Sequence, residues 1–232
     1  MSQDGIIGDF SGGWGGCTSM DNSAGSTKIY TVTNISGTKY FRLCKGSNQL
    51  SPSASCTPGN DLLINIETEY TSANDNCQNG AWYYNVPTTS YNYVFKTPGA
   101  SSNQYILFEI QGAVRTINTI TQSPVNPYAG QSVTVTANLD GAFTAGQSAY
   151  LRYTSDNWGT STTMEMSGGG TVYTATIPGN INNPNANVKY YCFTSGDGFG
   201  TSISHTKPDS HTINLNNNSG LNYSSTVNSS YA

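Results

Sequence analysis

The second half of the chain alternates apolar and polar positions. In VTVTANL, Val133, Val135, Ala137 and Leu139 share one parity and Thr134, Thr136 and Asn138 the other. That is the period of a strand with one buried and one wetted face. The runs AYLRYT, TTMEM, VYTATI, VKYYCFT, TSISH and HTINL follow, separated by Gly, Pro, Asn and Ser clusters. Roughly seven strands in roughly 100 residues is the size of an immunoglobulin-like sandwich. The first half reads similarly, with KIYTVT, YFRLC, LLINIETEY, AWYYNV, NYVFKT, QYILFEIQ and VRTIN as short β-type runs. The opening GIIGDFSGGWGG is too glycine-rich to read as a regular interior strand. No segment sustains a helical period. The predicted class is all-β, two tandem antiparallel β-sandwich domains, the second immunoglobulin-like.

The prolines and glycine of SPVNPYAGQS interrupt the strands, and the sequence beyond is poorer in cysteine and richer in threonine. The expected division is a cysteine-containing domain over 1–119, an immunoglobulin-like domain over 120–216 and an Asn/Ser-rich tail over 217–232. That tail reads as a last strand running into an extended linker. It carries Asn-x-Ser/Thr sites at Asn217, Asn222 and Asn228, and another lies at Asn34.

Composition narrows the function. Only 9% of the 232 residues are charged, against about a quarter in an average soluble domain, and the net charge is -4. Nine scattered basic residues make no patch able to neutralise a phosphate backbone, so nucleic acid is not an expected partner. No apolar run is long enough for a membrane-spanning helix, and membrane insertion is not expected. No leader is legible at the N-terminus, so an extracellular or cell-surface location is inferred from composition and cysteines.

Cys17, Cys44, Cys56 and Cys77 lie in the first third, which suggests two disulfides. Four cysteines allow three pairings. Cys44 with Cys56 would close the loop KGSNQLSPSAS, leaving Cys17 for Cys77. Successive spacings of 27, 12 and 21 positions lack the close pairs of a zinc site. Cys192 shares the parity of Val188 and Tyr190, which directs it to the core as a small apolar residue.

Several stretches carry a family resemblance. QSPVNPYAGQSVTVTANL, YLRYTSDNWGTSTTMEM, VYTATIPG, VKYYCFTSGDG and TINLNNNSGLNY together resemble modules of large bacterial surface and secreted proteins exported by the type IX pathway. Where YLRYTSDNW precedes a variable loop, the chain is also similar to β-sandwich starch-binding modules attached to bacterial amylases. GDFSGGWGGC, YFRLCKGSNQLSP, AWYYNV, YNYVFKTPG and FEIQGAV look like the domain that often precedes such a module. The resemblance implies secretion and a sandwich architecture, and no single activity.

Sugar recognition needs flat exposed rings beside amides and carboxylates, because a pyranose offers an apolar face and a rim of hydroxyls. Trp158 in TSDNWGTS, with Asp156 and Asn157 adjacent and Arg152 and Tyr153 as neighbours, is the candidate platform. The bland alternative folds Trp158 back over its own sandwich. Phe199 with Asp197 in SGDGFGTS has similar ingredients. Trp14 lies among glycines, and in AWYYNV the default puts Trp82 and Tyr84 inward and Tyr83 outward, with Tyr91 or Tyr93 able to join an outer aromatic strip. The expected partner is a polysaccharide or cell-surface glycan.

Catalysis is not expected. Glu67 and Glu69 in INIETEY would share one strand face at glycosidase-like separation, but they read more simply as a solvated face. His205 and His211 in SHTKPDSHT, with Asp209, suggest a turn rather than a metal site, and no serine is marked out as a nucleophile. No cofactor is expected; Asp75 with Asn74, Asn76 and Asn79 forms an oxygen-rich loop that could hold structural calcium, although one carboxylate is a poor match for a divalent ion. A structural fibre or spacer, self-associating by strand pairing along weakly charged edges, is the competing function.

Overall fold

In the computed structural model, residues 4–20, 28–46, 48–73, 76–87, 91–97, 104–196 and 211–229 are described. They are all-β, in several antiparallel sheets that do not close into a barrel. The chain divides into two compact units: Met1–Ala113 with Asp209–His211, and Val114–Pro208 with Thr212–Ala232.

In the first unit the larger sheet runs Gly13–Ser19, Asp4–Gly8, Gly37–Lys45, Trp82–Val86 and Leu62–Leu63 in spatial order, with Asn48–Leu50 also paired to Gly37–Lys45. A second sheet runs Lys28–Val32, Tyr91–Thr97, Gln104–Gln111 and Tyr70–Thr71. Phe41, Leu43 and Trp82 from the first sheet and Tyr93, Phe95, Tyr105 and Leu107 from the second share one core cluster with Phe10. Trp82 lies inward and Tyr84 packs against the same cluster, as alternation predicts, whereas Tyr93 is wholly buried and unavailable to an outer strip.

Two expectations fail here for backbone reasons. GIIGDFSGG contains a paired interior strand after all. Gly8 has φ 122, and a Cβ there would strike the Tyr40 carbonyl and come within 2.8 Å of the Phe41 Cα, so glycine permits the close approach that sequence suggested it would prevent. LLINIETEY is not one strand. It breaks at a turn where Glu67 has φ 57 and donates its N–H to the Leu107 carbonyl at 2.7 Å. Glu67 is therefore buried, and the strand face it was to share with Glu69 does not form.

The disulfides join Cys17 to Cys44 and Cys56 to Cys77, which corrects the favoured pairing. Gly13–Ser19 and Gly37–Lys45 flank Asp4–Gly8 on either side, and Cys44 is the register partner of Gly5. The first bridge therefore crosses over Gly5, where no side chain stands in its way, with Cα atoms 6.2 Å apart. The second ties two loops already held together: Ser51 donates to the Asn79 carbonyl at 2.7 Å, and the Asn79 amide donates to the Cys56 carbonyl at 3.2 Å. Two disulfides belong to a chain that matures outside a reducing cytoplasm. Among the described residues no helix is long and apolar enough to cross a membrane.

In the second unit one sheet runs Ile117–Ser123, Val133–Leu139, Val172–Ile177 and Ser167–Gly169. The other runs Thr162–Glu165, Ser148–Thr154, Asn187–Ser195 and Asn214–Asn216. Val133, Val135, Ala137 and Leu139 join Ala149, Leu151, Val188, Tyr190 and Cys192 in one core cluster. The alternation read from VTVTANL is thus realised. Ile117–Ser123 pairs with Val133–Leu139 inside this unit.

The tail expected over 217–232 is not an extended linker through its described part. Tyr223–Thr226 pairs with Asn187–Tyr190, and Val227 is fully buried in the core. The Asn228 N–H donates to the Pro127 carbonyl at 2.8 Å. Composition hid this because Val227, the Tyr223 ring stacked on Tyr190 and backbone hydrogen bonds, rather than an apolar run, hold the strand.

Candidate functional site: the Trp158 loop

The loop after Ser148–Thr154 is organised by two side chains. The Thr154 hydroxyl donates to Asp156 Oδ1 at 2.7 Å and accepts the backbone N–H groups of Asp156 and Trp158 at 3.2 and 3.1 Å. The Asp156 carboxylate also accepts the Thr160 N–H at 2.8 Å and the Thr160 hydroxyl at 2.7 Å. These bonds, the Thr160 N–H foremost and then the Thr154 and Thr160 hydroxyls, stabilise the ionised form and lower its pKa to about 2. Asp156 is thereby a loop-forming group, its oxygens already engaged within the turn.

Between these ties Asn157 and Trp158 adopt φ values of 58 and 74. A left-handed backbone is uncommon for a bulky side chain and costs about 1–3 kcal/mol per residue. Asn157 is exposed, and its Oδ1 accepts from Lys189 Nζ at 2.6 Å. Trp158 is half-buried and leans on Tyr191, with ring centres 5.2 Å apart and planes 37° apart.

Arg152 completes the group. It faces Tyr191 across the strand pair, and its guanidinium lies 5.3 Å from the Trp158 ring centre and 5.8 Å from that of Tyr191. Nη1 donates to the Tyr191 hydroxyl at 2.8 Å and Nε to the Ser161 hydroxyl at 2.9 Å. Tyr150 and Phe193 continue the aromatic row on the same face, stacked at 5.4 Å. The structure thus brings together Arg152, Asp156, Asn157 and Trp158. Tyr153, one residue out of phase with Arg152, points to the opposite face and belongs to the core.

Tyr191 is the member that sequence reasoning missed. Its signal was present, because placing Val188, Tyr190 and Cys192 inward sends Lys189, Tyr191 and Phe193 outward. Which strand it would face required the register of Ser148–Thr154 against Asn187–Ser195.

A shallow cleft of about 80 Å³ beside the loop is lined by Thr154, Ser155, Thr160, Ser161 and Thr162 with Tyr153 and Ile181. An open hollow of about 450 Å³ in the first unit lies among Pro52–Ser55 and Asn60–Leu62. Its carboxylate, Asp61, accepts the Ala81 N–H at 2.7 Å. Cys192 is fully buried and its thiol pKa is pushed far up by burial, so it stays protonated.

Phe199, Asp197, His205, Asp209, Asn74 and Asp75 lie outside the described residues, and the metal readings built on them go with them. His211 is buried, its ring edge-on to Phe108 at 6.3 Å. Among the described residues no group of three or more His, Cys, Asp or Glu side chains is placed to hold a metal ion. No protein-family model matches the chain, and no curated protein matches it.

Proposed function

We propose that this chain is a secreted or cell-surface carbohydrate-binding or adhesive module without catalysis, built from two tandem β-sandwiches of which the second is immunoglobulin-like. It is of the kind found in type IX-exported bacterial proteins and beside the catalytic domains of secreted amylases. Facing sheets that share a single core in each unit support the sandwich reading. The disulfides support maturation outside the cytoplasm.

The observation that carries the binding reading is the backbone of Trp158. Two successive residues are held left-handed by a spent carboxylate and a spent hydroxyl, and the result is an indole displayed on a guanidinium and a tyrosine ring. The unit's larger core closes on the other face of the sheet, and on this face Trp158 packs over a smaller buried cluster of Tyr150, Tyr191 and Phe193. Strain of this kind, fixed by surrounding bonds, concentrates at recognition sites. A ring immobilised beforehand loses little freedom when a sugar stacks on it. Asn157, Arg152 and the hydroxyls of the adjoining cleft supply the hydrogen-bonding rim.

For the competing fibre reading, the tail strand Tyr223–Thr226 is already paired within its own sheet and is not free to add to a neighbour's.

The test is retention of the chain on insoluble starch, cellulose and xylan, beside Trp158→Ala, with light scattering after size exclusion. Binding by the parent that falls at least tenfold in the variant supports the reading. Equal binding by both on every one of the three polymers, or large assemblies with no binding, overturns it.

A further inference from the structure

The outer face of the first unit's larger sheet carries a separate set of rings. Tyr40 and Tyr83 are register partners on neighbouring strands, with ring centres 5.2 Å apart and planes only 30° apart. Both are half-buried, and near-parallel rings at this distance form an offset stack across the two strands. Phe41 and Trp82 occupy the inward parity, which leaves Arg42 on the outer face beside Tyr40. The Arg42 guanidinium lies 4.8 Å from the ring centre of Trp14. It is held there by donating from Nε to the Gly80 carbonyl and from Nη1 to Gln49 Oε1, both at 2.7 Å.

Trp14 is 43% exposed. Around the neighbouring Gly13, Gly15 and Gly16, the space a Cβ would enter is open. Its strand lies two places from that of Tyr40 in the sheet order, and the indole reaches back over the strand between, its Cζ2 3.2 Å from where a Cβ on Gly8 would stand.

The main core closes on the opposite face, and on this face Ile7, the register partner of Arg42, is buried, while Trp14, braced by the Arg42 guanidinium, stays largely open to solvent. A ring fixed in this way loses little further freedom when it is covered. Arg42 already spends two nitrogens on the protein, and Asp61 lies close enough to act on its charge. The face therefore offers rings, phenol hydroxyls and donors with little uncompensated charge.

We infer that this face is a second saccharide platform, taking an uncharged polysaccharide with one sugar stacked on Trp14 beside Arg42 and the polymer continuing past the Tyr40–Tyr83 pair. Its residues lie in the first unit and share none with the Trp158 loop. It therefore stands or falls separately.

The chain has three tryptophans, so three indole N–H signals report on it. The intact protein is titrated with soluble cello-, xylo- and malto-oligosaccharides while these signals are followed by NMR, each assigned from a Trp→Phe variant. The same protein, with Trp14→Ala and Tyr83→Ala, is assayed for retention on cellulose, xylan and starch. The expected result is a saturable shift of the Trp14 signal with at least one sugar, and a tenfold or greater loss of retention on the matching polymer in both variants. Trp158→Ala keeps that retention.

A titration that moves the Trp158 signal alone overturns this second platform and leaves the first reading standing. One that moves Trp14 alone does the reverse, and one that moves neither overturns both. Should Trp14→Ala lose the fold, seen as a changed near-ultraviolet circular dichroism spectrum, the parent's own Trp14 signal still decides.

Discussion

Removing the Cys56–Cys77 bridge by a double substitution to serine tests the first unit's architecture quantitatively. The bridge closes a separation of 21 residues. With chain entropy lost on closure of 2.1 + 1.5R ln n cal/mol/K, that loop is worth about 3.3 kcal/mol at room temperature. The Cys17–Cys44 bridge, with a separation of 27, is worth about 3.6 kcal/mol on the same relation. The two loops do not overlap along the chain, so their contributions add to about 7 kcal/mol. A domain of this size has a total stability of about 5–15 kcal/mol, so full reduction removes a large part of it. The native contacts of the 51–57 and 77–81 loops include hydrogen bonds that survive the substitution, which is why an unfolded-state estimate applies.

The assay is urea unfolding in a Trp158→Phe background, where Trp14 and Trp82, both in the first unit, report alone. Peptide mapping under non-reducing conditions fixes the connectivity. Losses of about 3 kcal/mol for each double variant, with the pairing stated, are expected. A change under about 1 kcal/mol, or a peptide linking Cys44 to Cys56, would refute the reasoning.

An NMR titration is expected to place the Asp156 carboxyl at about 2, held down first by the Thr160 N–H. Because its folded-state pKa is depressed, its support of the Trp158 loop is complete above the unfolded value of about 4 and fades as pH falls toward 2. A midpoint near 4 would show that the Thr160 and Thr154 bonds are not formed in solution. Gly8→Ala forces a Cβ into the Tyr40 carbonyl at a positive φ, and chemical denaturation is expected to show a loss above about 2 kcal/mol. Leu151→Ala, at a fully buried position in the second unit, costs about 2–5 kcal/mol in the same assay. Cys192 resists a thiol reagent in the native protein and reacts fully in denaturant; rapid native labelling would contradict its burial.

How much of this was legible depended on what each residue needed in order to be placed. Val133 to Leu139 could be assigned by parity alone, and the inward Trp82 likewise, because a strand's faces follow from local alternation. Gly8 could not, since its strand depends on a positive φ and on the backbone of Tyr40 passing close by, neither of which has a signature beyond glycine itself. Glu67 turned a presumed strand into a corner through one left-handed residue that is not glycine or asparagine. At the candidate site, the loop chemistry of Thr154, Asp156 and Thr160 is local and was partly visible in TSDNWGT. The seat beneath Trp158 was not, because Tyr191 arrives from a strand more than thirty positions away along the chain. The disulfide pairing failed for a related reason: proximity along the chain favoured Cys44 with Cys56, whereas sheet order sets Cys17 beside Cys44 across a single strand.

His211 belongs with the first unit although the second unit's strands through Ser195 precede it, and Tyr223–Asn228 then returns to the second. A ribosome or a translocation pore releases the chain in order, so the first unit is not finished when residue 113 emerges. It waits for residue 211, and the second waits for residue 228. The two therefore reach completion almost together, once residue 228 has emerged. Asn187–Ser195 spends that interval with its partners Asn214–Asn216 and Tyr223–Thr226 not yet released. A dissection made at residue 113 would yield a first unit without its late-arriving histidine. Fragments intended to isolate either binding face are therefore best replaced by point variants of the whole chain.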